Sequence, residues 1–422
     1  MEMRLQNRTL ASLQTASTAF LTLFIVPVAN GIGLQTPNQD AEAVGRGNAF
    51  VATANNPSAL YYNAAGITQL PGENIQIGLL NYFGINSDYR SFTGTRSETR
   101  FENIPVPQLY YASTRELPDD RALSCGLGIY APFGLGIEWP EDSGFRTIAL
   151  QARLIYVTLN PVIAYKPFET LSLSIGPTFN YSKVRLRQGI GVPSSVGGVA
   201  NDEFRYEGGD WDVGYTAGIL FQPHRKWSFG ASYRSATTIR YAGRSELWPY
   251  APARDSRLDV AFPQMASGGV SFRPDTNWNI EASVDWTDWN SIDTLVFQNA
   301  PNPFTGEAIQ LPLKWHSSWF YHIGVSRYFG TGFFASLGYF FSENSTSERH
   351  FNPMVPDTDL HVGSVGLGYK GEHWNWAVAG QLIGGPWRKI DDNQSSSLAG
   401  ETANGKYKFF IPTVIFSLGF KY

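Results

Sequence analysis

Apolar and polar side chains alternate with a period of two over the last stretch of the chain. One face of residues 409–422 is apolar or aromatic and consists of Phe410, Pro412, Val414, Phe416, Leu418, Phe420 and Tyr422. The opposite face carries Thr413, Ser417, Gly419 and Lys421. Because successive side chains of a strand point to opposite sides of a sheet, this pattern predicts a β-strand with two unlike faces. Residues 278–287 and 227–234 follow the same pattern.

Segments of this kind recur along most of the chain. They predict about fourteen strands, at 74–82, 104–114, 123–130, 150–165, 171–186, 211–221, 227–241, 258–272, 278–287, 318–328, 333–341, 360–369, 374–382 and 409–422. Short turns alternate with long loops between them. An even number of strands joined in this way is typical of outer-membrane barrels.

The composition favours a membrane location for these strands. Many apolar faces begin and end with Trp, Tyr or Phe, as in the aromatic girdles of strands that cross a bilayer. Charged residues make up 16% of the chain, against a usual figure of about 25%, while 14% are aromatic. A soluble sandwich or propeller would instead expose its polar faces to water. The predicted fold class is therefore all-β, a transmembrane antiparallel β-barrel of about fourteen strands in a Gram-negative outer membrane.

Several functions are excluded at this stage. The formal net charge of −4 points to no nucleic-acid partner. The single cysteine, Cys125, rules out an intramolecular disulfide and a Cys-based zinc site, and we interpret it as a small apolar filler. The six histidines show no Ser/His/Asp or metal-ligand spacing, so we expect no enzyme, metal or cofactor.

Residues 1–31 have the pattern of a secretory signal peptide. Arg4 and Arg8 give a positive start, an apolar stretch runs to Val28, and small residues at 29 and 31 suit cleavage after Gly31. The alternative is a membrane anchor. A span needs about 20 predominantly apolar residues, however, and polar residues interrupt this stretch.

A different kind of segment precedes the first strand. Residues 45–70 are rich in Ala, Asn and Gly, nearly uncharged, and show neither strand nor helix periodicity. We expect residues 32–72 to form a hatch inside the lumen of a barrel made by residues 73–422. The alternative is an irregular cap on a soluble β domain.

Five short motifs, in this order, identify a resemblance to a known family. They are SALYYNAAGI at 58–67, YAPFGL at 130–135, ASYRS at 231–235, FPQM at 262–265 and DWTDW at 285–289. With them, the chain from about Leu34 to Tyr422 resembles the FadL/TodX family of Gram-negative outer-membrane transporters for long-chain fatty acids and other hydrophobic compounds. The resemblance implies a hatch-plugged barrel, a hydrophobic site reached from the outer loops, and release of the ligand sideways through the wall beside the third strand.

Two features near that implied opening deserve comparison with the family. Its hatch carries Asn-Pro-Ala, whereas the aligned triplet here is Asn63-Ala64-Ala65, followed by Gly66, so the proline is missing. The third predicted strand contains Gly126 and Gly128. Glycine often marks a bulge or a close backbone approach, so the resemblance favours a kink that opens the wall. Ordinary packing against the hatch is the alternative.

The implied function is uptake of long-chain fatty acids or other hydrophobic compounds by passive diffusion, with a general or hydrocarbon/aromatic-compound porin as the alternative. The candidate hydrophobic contacts are Ile32, Leu34, Phe133, Leu135, Trp139, Trp248 and Tyr250. Loop aromatics can equally pack the loops together. Among charges predicted to face the lumen, Arg234, Glu281 and Asp285 are expected to anchor the hatch, and Arg234 is also a candidate contact for a substrate carboxylate.

The expected partners are a hydrophobic small molecule, the lipid bilayer and lipopolysaccharide, whose phosphates Arg185 and Arg187 are placed to meet. The C-terminal Tyr422 resembles the signature by which barrels are handed to the outer-membrane insertion machinery. We expect a monomer.

Overall fold

The computed structural model describes residues 33–84, 86–301, 308–395, 397 and 399–422. Fourteen of its strands form one closed antiparallel ring, and we number them β1 to β14. They are β1 Gly72–Phe83, β2 Asn103–Leu117, β3 Arg121–Tyr130, β4 Gln151–Phe168, β5 Leu171–Gly189, β6 Glu203–His224, β7 Trp227–Arg234, β8 Met265–Phe272, β9 Trp278–Thr287, β10 Ser318–Tyr328, β11 Phe333–Ser342, β12 Leu360–Lys370, β13 Trp374–Gly384 and β14 Gly405–Lys421. Closure is made by β1 and β14, which pair from Asn74 with Lys421 to Tyr82 with Thr413. The predicted fourteen-stranded barrel is confirmed.

Further strands lie at one end of the barrel, which we call the loop end. The opposite end, where the connections are short, is the turn end. The strands at the loop end are Asn86–Arg90, Arg96–Glu98, Gly134–Glu138, Thr237–Trp248, Ala251–Phe262, Thr294–Gln298, Ile309–Pro312 and Arg388–Ile390. Thr237–Trp248 and Ala251–Phe262 pair as a hairpin that continues β7 and β8 beyond breaks at 235–236 and 263–264. The expectation of single strands over 227–241 and 258–272 was therefore wrong at these breaks.

The outer face of the wall is apolar and the inner face is polar. Outward side chains such as Ile77, Val213 and Leu337 are between 51% and 60% exposed, whereas Asn279 and Glu281 are buried on the inner face of β9. Each Å² of apolar surface left in water costs about 25 cal/mol, so the outer face belongs in lipid. The alternation predicted for β7, β9 and β14 is confirmed. Among the described residues, no helix is long and apolar enough to cross a membrane.

Residues 34–70, called the N-terminal segment below, are almost entirely buried. They form α1 Ala41–Gly45, α2 Ala59–Tyr62 and a 3-10 helix, Ala64–Gln69. α1 begins after Asp40, whose carboxylate accepts the Ala43 N–H at 3.1 Å, as a helix N-cap does. The expected signal peptide, 1–31, and Ile32 lie outside the described residues.

The wall carries glycine where α1 approaches it. A Cβ placed on Gly366 of β12, Gly338 of β11 or Gly324 of β10 would lie 2.8, 2.0 or 2.2 Å from main-chain atoms of residues 45–47. Any side chain at these three positions would collide with the segment, so glycine permits a direct contact between the two backbones. We call this contact the glycine socket.

Candidate functional site

An apolar cavity of about 610 Å³ lies among the strands and loops of the loop end. β4 and β5 contribute side chains to it, as do the hairpin 237–262, the long loop after β9 and the loop after β11; examples are Leu154, Leu186, Leu258, Phe262, Leu313, Trp315 and Met354. Among the residues that the structure describes, no acidic or basic side chain lines it. The hydroxyl of Tyr241, which also lines the cavity, lies 2.6 Å from Ser182 Oγ and is therefore already paired. Such a cavity suits an apolar ligand.

The structure brings some of the predicted ligand contacts together. Leu34 and Leu135 line the cavity. Phe133 and Trp139 belong to the same buried cluster without lining the cavity. The Trp139 indole N–H donates to the carbonyl of Pro353 at 2.8 Å, so this ring packs loops together. Ile32 lies outside the described residues.

Trp248 and Tyr250 do not line the cavity, although Tyr250 packs against the same buried cluster. Trp248 ends the strand Thr237–Trp248, where alternation turns Leu247 inward and leaves Trp248 39% exposed. The guanidinium carbon of Arg205 lies 5.4 Å from the Trp248 ring centre. The Tyr250 hydroxyl donates to Asp202 Oδ2 at 3.2 Å. Both aromatic side chains therefore brace the loop end.

Asp202 holds several loops of this end together. It accepts the N–H groups of Gly191 and Val192 at 2.9 and 2.8 Å, and Arg146 Nη1 at 3.2 Å. Burial by itself raises the pKa of Asp202. The backbone and side-chain donors lower the pKa by more than burial raises it, so the pKa lies below its ordinary value. The carboxylate therefore stays ionised, and its loop contacts stay formed, across the physiological pH range.

A second cavity, of about 640 Å³, lies between the N-terminal segment and the wall; its lining is mixed but includes charged side chains, so we call it the polar cavity. Arg234 lines it, donating from Nη1 to the Tyr130 hydroxyl at 2.9 Å. Its guanidinium carbon lies 5.3 and 5.1 Å from the ring centres of Tyr61 and Tyr130, within range of cation–π attraction. No carboxylate of the described residues lies within 4.0 Å of its nitrogens. Asp285, which also lines this cavity, is 3.1 Å from His322 Nε2 instead.

Glu281, one of the three lumen charges, contacts the N-terminal segment directly. It accepts the Ala52 N–H at 2.9 Å and the Thr53 hydroxyl at 2.5 Å. Its Oε2 also lies 3.6 Å from Arg46 Nη2, with both side chains fully buried. Removing one partner of such a pair is strongly destabilising, because the other charge is left alone in a dry interior.

Other contacts surround the segment on several sides. The Lys370 ammonium of β12 donates to Glu42 at 2.7 Å, and the Tyr110 hydroxyl of β2 donates to the Gln39 carbonyl at 3.0 Å. The Ser228 hydroxyl of β7 donates to the carbonyl of Ala52 at 2.6 Å. Neither Lys370 nor Glu42 was predicted from the sequence to hold the segment in place.

The barrel wall is interrupted just after β3. Through Gly126 and Gly128, β3 pairs without a break with both β2 and β4, so the wall is not open at these glycines. A Cβ on Gly126 would lie 2.6 Å from Leu60 Cδ2, so the residue makes room for the N-terminal segment. Beyond Tyr130, residues 131–133 leave the sheet, and residues 103–108 of β2 have no ladder partner on that side among the described residues.

Prolines mark the edges of this interruption. Pro105 and Pro107 lie in the unpartnered part of β2, and Pro132 lies in the segment that leaves the sheet. Proline has no N–H to donate, so within sheets it is confined to edges and bulges. The Pro-Val-Pro sequence is the signal that could have located the interruption.

The N-terminal segment closes the interruption from inside. The Thr36 N–H donates to the Pro132 carbonyl at 2.9 Å, and the Gly134 N–H donates to the Leu34 carbonyl at 2.8 Å. The Thr36 hydroxyl and the Gln39 amide, the latter at 2.8 Å, both donate to the Ala131 carbonyl. Residues 34–39 therefore occupy the place of a missing wall partner.

The triplet that departs from the family pattern lies beside the polar cavity. The Asn63 side chain accepts the Ala65 N–H at 3.3 Å and donates to the Ile219 carbonyl of β6 at 2.9 Å. Ala64 is the first residue of the 3-10 helix, and Asn63 before it is extended, at φ −161° and ψ 98°. A Cβ on Gly66 would lie 2.1 Å from the Ala54 carbonyl oxygen.

Ala64→Pro is expected to be tolerated and to stabilise the fold by about 0.4–1 kcal/mol. Proline fits the first helical position, and the preceding residue already has the extended backbone that proline requires. Ala65→Pro is the matched control. It removes the Ala65 N–H, which donates to the Asn63 side chain, and is therefore expected to destabilise the fold. Thermal unfolding of the two variants checks this. A loss of stability in Ala64→Pro equal to that in Ala65→Pro would contradict the expectation.

Comparison with known proteins agrees with this architecture. The family model described as outer membrane protein transport protein (OMPP1/FadL/TodX) matches residues 22–407. Outer membrane protein P1 of Haemophilus influenzae is 22% identical over 298 residues, which span 63% of this chain and 62% of that protein. The long-chain fatty acid transport protein of Escherichia coli O6:H1 is 19% identical over 342 residues, 72% of this chain and 75% of that protein.

Two solved structures share the fold. A FadL homologue of Pseudomonas aeruginosa superposes with a TM-score of 0.79 at 15% identity, covering 92% of this chain and 99% of that one. The toluene transporter TodX of P. putida gives a TM-score of 0.67 at 14% identity, covering 94% and 99%. Given the match of the family model to most of its length, this chain belongs to the OMPP1/FadL/TodX family of outer-membrane transport proteins.

Proposed function

We propose that this protein admits hydrophobic compounds, long-chain fatty acids among them, across the outer membrane by passive diffusion. The observation that carries the proposal is the apolar cavity of about 610 Å³, which is lined by no charged side chain of the described part of the chain. Burying each CH₂ gains about 0.8 kcal/mol, so an alkyl chain binds there without specific contacts. The name of the related Escherichia coli protein, a long-chain fatty acid transport protein, supports this substrate class.

The proposed route runs through both cavities. Leu34 lines the apolar cavity and Gln35 lines the polar one, so residues 34–35 separate the two spaces. Arg234 in the polar cavity is the proposed contact for the carboxylate of an acidic ligand. Tyr130, which bonds Arg234, is the last residue before the wall interruption. The ligand then leaves sideways at Ala131, once residues 34–39 move aside.

The proposal gives residues 32–72 the role of a hatch within the barrel of residues 73–422. On this proposal the protein is a monomer. The barrel insertion machinery recognises its C-terminal Tyr422. Arg185 and Arg187, which are paired with Glu207 and Glu203, are the proposed contacts for lipopolysaccharide phosphates.

A channel for hydrocarbons or aromatic compounds is the second candidate. The uncharged lining of the apolar cavity favours it, because neither an alkane nor an aromatic hydrocarbon needs a counter-charge. The likeness in fold to a toluene transporter is compatible with it. Uptake assays that include both an acid and a hydrocarbon separate the two candidates.

Filling the apolar cavity is expected to abolish most uptake. Leu154, which lines it, is 4% exposed, so Leu154→Trp occupies ligand space. Leu159→Trp is the control, because Leu159 lies on the same strand five residues away but is 37% exposed on the lipid face. Uptake of radiolabelled oleate and of toluene by cells producing each variant measures the effect. Normal uptake by a correctly folded Leu154→Trp variant would refute the proposed site.

A further inference from the structure

Four buried aromatic rings pack against one another toward the loop end of the barrel. They belong to Phe133, Tyr156, Phe262 and Trp289, each at most 2% exposed, and we call them the ring cluster. The centroid of the Phe133 ring lies 5.2 Å from those of Tyr156 and Phe262. It lies 6.0 Å from the centroid of Trp289. Because a close-packed interior has few voids larger than a water molecule, no other molecule passes through the cluster as it stands.

The neighbours of Phe133 and Phe262 place the ring cluster between the apolar and the polar cavity. Leu135 and Phe262 line the apolar cavity. Gln35 lines the polar cavity, and its backbone pairs with that of Phe133 in an isolated β-bridge. Met265, which lies just beyond Phe262 in the chain, also lines the polar cavity. On the proposed route, a molecule that moves from the first cavity to the second therefore meets the Phe133 ring.

Within the ring cluster, Phe133 has the backbone that is best placed to move. Tyr156 belongs to β4, and Phe262 ends a strand of the hairpin 237–262. Trp289 begins a short 3-10 helix. Phe133 lies instead in the segment 131–133, which leaves the sheet. The other three rings therefore form a fixed frame around it.

The N-terminal segment holds Phe133 in this frame. The backbone on either side of Phe133 bonds to that of residues 34–36, at 2.8 and 2.9 Å. The same bonds help to close the wall interruption. When residues 34–39 move aside on the proposed route, Phe133 loses these constraints as the wall opens. The passage between the cavities and the side exit are therefore released by one movement.

We propose that the Phe133 ring is the gate between the two cavities and sets the width of the molecules that pass. Its displacement leaves a gap the size of a phenyl ring among side chains that stay fixed. A linear alkyl chain fits such a gap, whereas a polycyclic group of equal carbon number does not. The inference rests on the proposed function, in which the ligand moves from the apolar to the polar cavity, and adds the residue that selects among ligands.

The test measures entry into the polar cavity directly. Ser232→Cys places a thiol on the lining of that cavity, in a full-length chain that also carries Cys125→Ser to remove the native cysteine. Two maleimides are added to the outside of intact cells, one with a linear decyl group and one with an adamantyl group of equal carbon number. The labelling rate of each probe is compared with the rate of the same probe in the chain with native Phe133. Differences in partitioning between the probes then cancel.

Phe133→Ala is expected to remove the selection by width. Labelling by the adamantyl probe should rise at least about tenfold and labelling by the decyl probe only about twofold, since a few atoms in an apolar passage discriminate by such factors. Phe133→Leu keeps more of the side-chain volume. It should give a smaller rise with the same order of the two probes, and it replaces the alanine variant if that variant fails to fold.

The matched control is Phe145→Ala, with Phe145→Leu beside the leucine variant. Phe145 is fully buried in the same hydrophobic core as Phe133 and lies 4.8 to 6.3 Å from the rings of Tyr89, Trp139 and Tyr407. It lines neither cavity. Its truncation removes a comparable amount of aromatic packing without opening a path between the cavities, so any change should be equal for the two probes.

The outcomes distinguish the gate from the function on which it rests. If a folded Phe133 variant labels no faster, or gains equally for both probes, or if the Phe145 control shows the same dependence on width, Phe133 is a packing residue and the gate is wrong. Leu154→Trp, which fills the apolar cavity, is then added to Phe133→Ala and should abolish the gain. If labelling stays fast, the probes do not enter through the apolar cavity and the proposed function fails.

Discussion

Deleting residues 34–66 is expected to turn a closed barrel into an open, water-filled channel. These residues are almost entirely buried and contact inward-facing side chains of the wall such as Glu281, so on the proposed role their removal would leave the polar inner face lining an open passage. Single-channel recordings in planar bilayers and swelling of liposomes in sugar solutions measure the opening. A deletion variant that folds, as judged by its heat-modifiable migration in gels, and yet conducts no ions would show that the segment does not plug the barrel.

A point variant tests the same role without shortening the chain. Glu281→Ala leaves the Arg46 guanidinium buried without its carboxylate and frees two donors, at Ala52 and Thr53. Breaking a buried pair in this way costs about 3–5 kcal/mol. We therefore expect intermittent channel openings and faster amide exchange at residues 46–53. The control is Glu343→Ala, because Glu343 pairs with the exposed Tyr321 hydroxyl outside the lumen.

The double variant Thr36→Val/Gln39→Leu is expected to accelerate uptake of hydrophobic compounds several-fold. It removes two side-chain donors to the Ala131 carbonyl, each worth about 1 kcal/mol, and so weakens closure of the wall interruption. Sugar permeation should stay at the wild-type level, because the lumen remains filled.

The matched control is Gln222→Leu. It removes a bond of 3.1 Å between β6 and Gln69, which joins the segment to the wall away from the interruption. Initial rates of uptake for a fatty acid and a hydrocarbon compare the two variants. If uptake in the double variant is unchanged, or if sugars enter as fast as hydrophobic compounds, lateral release at Ala131 is wrong for this protein.

The strands that cross the lipid could be predicted closely from the sequence. β9 and β10 have the bounds 278–287 and 318–328 that the alternation predicts. Lipid requires apolar side chains on the outer face of a strand, and the lumen favours polar side chains on the inner face. Apolar and polar residues therefore alternate with a period of two in the sequence. Trp278 and Trp286 mark the two ends of that face in β9.

Outside the lipid, the alternation of apolar and polar side chains no longer identifies the strands. The hairpin 237–262 presents Arg240, Arg244 and Asp259 outward, and nothing in such a face distinguishes a strand from a polar loop. β6 likewise begins at Glu203 rather than at 211. Trp248 was therefore interpreted as loop material near the ligand, although the strand turns it outward.

The candidate site was harder to predict than the strands, because contacts between distant parts of the sequence bring its residues together. Leu34 and Leu135 were identified through the resemblance to a family. Leu154, Leu258, Trp315 and Asn352 come from separate elements, and no local pattern relates them. The loop after β11, which supplies Asn352, has few apolar residues, so its burial could not be anticipated from composition.

The glycine socket limits how the protein can open. Main-chain atoms of residues 45–47 touch the wall directly, with no side chain between them that could reorient during a movement. A rotation or a slide of this part would drive one backbone into the other, so residues from α1 onward behave as a fixed support. On the proposed route, the part that has to move is therefore the stretch before α1, residues 34–39. An aperture left by that stretch would be about as wide as one extended peptide, so we expect slender molecules to pass more readily than bulky ones of equal hydrophobicity.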